Sequence, residues 1–120
     1  MFQMGGIGPM FGQVGFFHRF AGKDYEDKRP LERYVAEAKR LLAVLDGRLA
    51  GREWIMGEEF TIADIAVFPW VRTLTSFYGA GEIVGFAAFR NVNRVLDAFF
   101  ARPATARGAN IPARIVDPRQ

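Results

Sequence analysis

The sequence contains no cysteine and only one histidine, His18. Without cysteine the chain can form no disulfide, no thiolate metal site and no thiol nucleophile of its own. One histidine cannot supply an imidazole cluster for a metal, and no nucleophile–histidine–acid set stands out around it. His18 is read as a surface or interface residue, and neither a catalytic residue nor a metal ligand is assigned. A long hydrophobic run is also missing. The first 18 residues carry no acidic or basic side chain other than His18, but Gly5, Gly6, Gly8, Gly12, Gly15, Gln3, Gln13 and Pro9 interrupt them. A signal peptide needs a positive leader and an unbroken apolar stretch, and a membrane span needs about 20 mostly apolar residues. Neither is present, so a cytoplasmic protein without membrane association is expected.

A basic face is lacking too, despite the net charge of +3. Residues 1–101 carry 12 basic and 12 acidic side chains, and the excess falls in residues 102–120. There Arg102, Arg107, Arg114 and Arg119 face only Asp117. A basic tail on a neutral body gives no clustered surface for nucleic acid, and no nucleic-acid partner is expected.

What is present is a chain of 120 residues, half of them hydrophobic and 14% aromatic, enough for one domain with one core. Over residues 30–50 apolar side chains recur at Leu31, Val35, Ala38, Leu42, Leu45 and Leu49, with charges on the other faces. That spacing predicts an amphipathic helix, started by Pro30 and ended by Gly51. Thr61 and Asp64 form an N-terminal capping pair for a second helix, with Phe60 and Ile65 placed as a hydrophobic staple. This helix is apolar nearly all round, which predicts complete burial, and Pro69 should kink or end it. A third helix fits residues 86–101, and Pro103 opens a short last one to about Arg107. Residues 1–20 are expected to hold aromatic helical segments broken near Gly5–Pro9. No period-two stretch appears, and the fold reads as all-α.

Several of these residues also carry a resemblance. Gln3-Met4-Gly5-Gly6-Ile7-Gly8-Pro9-Met10, Leu31-Glu32-Arg33-Tyr34, Thr61-Ile62-Ala63-Asp64-Ile65-Ala66 with Pro69-Trp70, and Arg102-Pro103-Ala104 follow one another as they do in glutathione transferases. The run of glycines most resembles the bacterial nu-class branch, which includes glutathione-dependent disulfide-bond reductases. The resemblance implies a helical bundle of about five helices over residues 1–108, followed by an irregular basic tail over 109–120. It also implies a separate thioredoxin-like N-terminal domain that binds glutathione, the co-substrate, and supplies the catalytic groups. No strand–helix–strand pattern for that domain is present, so the chain is expected to be a fragment that is inactive alone.

By the same resemblance Arg33 would reach bound glutathione, and a homodimer would form through the first two helices. The alternative for Arg33 is an exposed pair with Glu37. Phe11, Phe16, Phe17 and Trp70 are read either as lining for an apolar second-substrate pocket or as ordinary core. Thr61 and Asp64 are structural. A non-catalytic helical interaction module is the second functional reading.

Overall fold

The computed structural model describes residues 1–112 and is all-helical, with five α-helices and no strand among these residues. They are α1 (Gly8–His18), α2 (Arg29–Leu49), α3 (Ile62–Arg72), α4 (Arg90–Ala101) and α5 (Pro103–Gly108). Helix α2 lies between α1 and α4, and α3 packs on both of those neighbours. Arg114 and Arg119 of the basic tail lie outside the described residues.

The 3.6-residue periodicity of α2 is realised almost as read. Ala38, Leu42, Leu45 and Leu49 are buried, while Leu31 and Val35 sit only half-buried at the end where fewer neighbours pack. They meet Ile7, Phe11 and Val14 of the first helical segment and Val92, Val95 and Phe99 of α4 in one continuous core. Each such side chain contributes roughly 1.5–3 kcal/mol on leaving water.

Three expectations are corrected. The first concerns the N-terminus, where the helical segments are not broken near Gly5–Pro9. Gln3–Ile7 form a π-turn that runs directly into α1, and the Gly8 N–H donates to the Gln3 carbonyl. The wider turn absorbs Pro9, which has no N–H to donate, so the chain stays helical.

The second concerns α3, which is not buried all round. Val67, Phe68 and Val71 face the core, but Ile62 is 84% and Ile65 53% exposed, because the described residues pack on one side only. Pro69 does not end the helix. Helix α3 continues to Arg72 and passes into a second π-turn, Thr73–Phe77. The partner that Pro69 denies would have served the Ile65 carbonyl, on the exposed side where water can reach it.

The third concerns the start of α4. A 3₁₀ turn occupies Phe86–Ala88 and the α-helix begins at Arg90, with no cap from a neighbouring residue of its own segment.

Candidate functional site

Arg33 stands in the first turns of α2. Its side chain is exposed and makes no hydrogen bond or ion pair among the described residues. The expected pairing with Glu37 is not formed. Arg40 takes Glu37 instead, with Nη2 2.8 Å from Oε1 and Nε 2.9 Å from Oε2. Two parallel bonds from one guanidinium outcompete a single distant charge. They hold the Glu37 carboxyl below the usual carboxylate range, and Arg33 adds only a weaker through-space pull. Nearby, Asp27 is committed to Arg29, whose guanidinium and backbone N–H lower its carboxyl likewise. Arg33 is thus an exposed cation to which neither Glu37 nor Asp27 is bound.

Beside it lies an aromatic cluster. Tyr34 stacks on Phe17 at 5.7 Å, and Phe16 meets Phe17 edge-on at 4.9 Å. Tyr25 closes the group at about 6 Å from both phenylalanines. Phe16 is exposed and Phe17 half-buried. The other two aromatics proposed as pocket lining lie elsewhere. Phe11 is fully buried in the core and presents no surface to a ligand. Trp70 lines a shallow groove of about 340 Å³ with Pro69, Thr73, Phe77 and Tyr78. Tyr78 packs so closely on α1 that a Cβ on Gly15 would lie 2.6 Å from its ring, so only glycine fits there.

Thr61 and Asp64 make the reciprocal cap. The Thr61 Oγ1 accepts from the Ala63 N–H at 3.2 Å, and the Asp64 Oδ2 accepts from the Thr61 N–H at 3.0 Å. Asp64 does more than the pattern foretold, because its Oδ1 also accepts from the Ile55 N–H at 3.0 Å. This fully buried carboxylate ties the loop before α3 to the helix it caps.

Sequence reasoning missed a second carboxylate of the same kind. Asp46 on α2 accepts from the Asn91 and Val92 N–H groups at 2.9 and 3.0 Å, and so caps α4. Arg94 on α4 donates in return to the Leu49 and Arg52 carbonyls, both at 2.9 Å. An acid one turn from the C-terminus of a helix opposes the helix dipole, and this was the available signal that Asp46 serves another helix.

Also missed is a groove of about 630 Å³ between α3, α5 and the end of α4. Phe60, Ile65, Pro69, Phe99 and Phe100 give it apolar walls, and Arg72 and Arg102 stand among them. Among the described residues no cluster of His, Asp or Glu could hold a metal ion. No helix there is long and apolar enough to cross a membrane.

Comparison with known proteins fits this arrangement. The family model for the glutathione S-transferase C-terminal domain matches residues 9–103. The chain is 36% identical over 117 residues to the disulfide-bond oxidoreductase YfcG of Escherichia coli (strain K12), covering 98% of this chain and 51% of that protein. It is 36% identical over 110 residues to the disulfide-bond oxidoreductase YghU of the same organism, covering 90% of this chain and 38% of that one. The chain therefore spans about half the length or less of these curated relatives. Among solved structures, a glutathione transferase family member from Pseudomonas fluorescens Pf-5 with two glutathione bound matches at TM-score 0.92 and 72% identity, over 93% of this chain and 49% of that one. A glutathione transferase from Pseudomonas putida with one glutathione disulfide bound per subunit matches at TM-score 0.91 and 65% identity, over 93% and 48%.

Proposed function

Because this chain belongs to the glutathione S-transferase C-terminal domain family, we propose that it is the helical, substrate-side part of a glutathione-dependent transferase or disulfide-bond reductase. The partner in this reading is a thioredoxin-like N-terminal domain that holds most of the glutathione and supplies the catalytic groups. The observation that carries the proposal is Arg33, an exposed guanidinium at the N-terminal end of α2 whose acid one turn on, Glu37, is engaged by Arg40. Glutathione carries two carboxylates, and a planar guanidinium grips a carboxylate through two parallel bonds at any physiological pH. The positive end of the α2 dipole adds to the attraction.

In this reading the chain's own residues bind and orient. Arg33 holds one carboxylate of glutathione. Phe16, Phe17 and Trp70 offer apolar surface to the second substrate, while Phe11 supports them from the core. A homodimer through α1 and α2 belongs to the same proposal, and the half-exposed Val44 of α2 supports it.

The test restores the other half. A single polypeptide joins residues 1–120 behind the half of the Pseudomonas fluorescens relative that this chain does not match, and glutathione binding is followed by calorimetry. Arg33→Ala should weaken binding by about 10- to 150-fold, the equivalent of 1.5–3 kcal/mol for hydrogen bonds to a charged group. Arg33→Lys should recover part of it. Unchanged affinity would remove Arg33, and with it this reading of the site.

A further inference from the structure

Helix α1 meets α3 and the turn after it through two contacts between a glycine and an aromatic ring. A Cβ on Gly8 would lie 3.4 Å from the Trp70 indole, and one on Gly15 would lie 2.6 Å from the Tyr78 ring. Gly8 and Gly15 are seven residues apart, which at about 100° per residue brings both to one face of α1. Trp70 and Tyr78 are eight apart. An unbroken α-helix would turn Tyr78 about 80° away from the direction of Trp70 and put Phe77, seven along, over Gly15 instead. The π-turn Thr73–Phe77 removes that mismatch. In it the Tyr78 N–H donates to the Thr73 carbonyl at 2.8 Å, five residues back, so the turn takes up one residue more than an α-turn.

The wide turn thus decides between two neighbouring rings. Tyr78 seats on Gly15, while Phe77 stays exposed and lines the groove of about 340 Å³ beside Trp70. The tail of α1 packs on this arrangement. Phe20 lies 5.9 Å from both rings, and the Arg19 Cζ stands 5.3 Å from the centre of Phe77. Within the turn itself, the Thr75 hydroxyl shares its proton between the Val71 and Arg72 carbonyls, at 3.1 and 3.2 Å. A hydroxyl bonded to these carbonyls competes with the backbone amides that would close α-turns on them, and so favours the wider ladder.

We propose that Thr75 is a positioning residue for the second substrate. By holding the wide turn it selects Phe77 as a wall of the groove beside Trp70, and Tyr78 as the anchor on α1. The groove sits at the small end of the range for small-molecule sites, so the placing of one ring decides what fits it. The consequence for substrate rests on the reading of Trp70 as second-substrate surface, whereas the choice between the two rings does not.

The experiment follows the ring choice and the groove separately in the 120-residue chain. Nuclear Overhauser contacts from the Gly15 α-protons identify the ring seated there. Tyr78 is expected in the wild type, and Phe77 in Thr75→Val, which keeps the shape of threonine without its hydroxyl. Thr75→Ser should keep Tyr78 in place. Deleting Ser76 in the Thr75→Val background should bring Tyr78 back, because seven residues then lead to it from Trp70. For the groove, 1-naphthol is titrated into the Trp54→Phe chain, where Trp70 is the one indole left, and should quench its emission saturably. Phe77→Ala should weaken binding by about three- to tenfold, the range for one aromatic contact. Thr75→Val should do the same, and Thr75→Ser should bind as its parent does. Combining Phe77→Ala with Thr75→Val should cost no more than either alone, because both act through one ring. Tyr78 still seated on Gly15 in Thr75→Val would overturn the ring choice. Additive losses, or no saturable binding by the parent chain, would overturn the positioning role. Arg33 enters neither readout, so a failure here is distinct from a failed glutathione titration.

Discussion

Asp46 on α2 and Arg94 on α4 each close the open end of the other's helix. Asp46 accepts from the first N–H groups of α4, and Arg94 donates to carbonyls at and just past the end of α2. Asp46→Ala leaves two donors of α4 without acceptors and should destabilise the fold by about 1–2 kcal/mol in urea unfolding. Combined with Arg94→Ala the losses should be less than additive, because both substitutions loosen one junction.

The cap of α3 should prove unequal. Thr61→Ala removes one acceptor and should cost about 1 kcal/mol. Asp64→Ala strands the N–H groups of both Thr61 and Ile55 and should cost about 2–4 kcal/mol, since charge-assisted bonds contribute about 1.5–3 kcal/mol. Equal losses in urea melts would mean that the Ile55 bond contributes nothing.

Two glycines of α1 should respond in opposite directions. Gly15→Ala drives a methyl group into the Tyr78 ring and should destabilise by about 1–3 kcal/mol. At Gly12 the added Cβ meets nothing within 4 Å, so Gly12→Ala should stabilise by about 0.5–1 kcal/mol. Thermal melts of the two variants would separate the cases.

The Glu37–Arg40 pair sets a pH dependence of definite sign. The folded carboxyl titrates below its ordinary value, so its contribution is complete above that value and is lost as pH falls through the lowered one. Arg40→Gln should return the Glu37 midpoint in an NMR titration towards the ordinary glutamate range. The residual depression should track Arg33, and salt should erase it.

The parts of this molecule legible in its sequence are those built from near neighbours along the chain. The apolar stripe of α2 is a local periodicity, and the Thr61–Asp64 cap closes within three residues, so the order of amino acids alone reveals both. The elements that escape such a reading depend on chain segments far apart. Asp46 and Asn91 are 45 positions from each other, and Arg102 meets Phe60 across the bundle. The exposed side of α3 is hidden for a related reason. Apolar residues around a whole helix state that burial is needed, but not whether the partner lies within the same 112 described residues. Pro69 misleads as a helix end because a proline forbids one hydrogen bond, whereas a helix open to water on that side can dispense with it. At the candidate site, Arg33 stands out by resemblance alone. That Glu37 is claimed by Arg40 instead depends on which of two arginines on the same helix reaches it.

The contact of Arg102 with both Phe60 and Trp54, the latter at 5.8 Å, gives the protein an optical reporter of its own. Trp54 is buried beside the larger groove, whereas Trp70 is half-buried and lines the smaller one. The two indoles should therefore emit at different wavelengths. Displacing Arg102 from that contact should shift the bluer component and leave the redder one where it was. With one tryptophan at a time replaced by phenylalanine, fluorescence would tell the two ends of α3 apart without any attached dye.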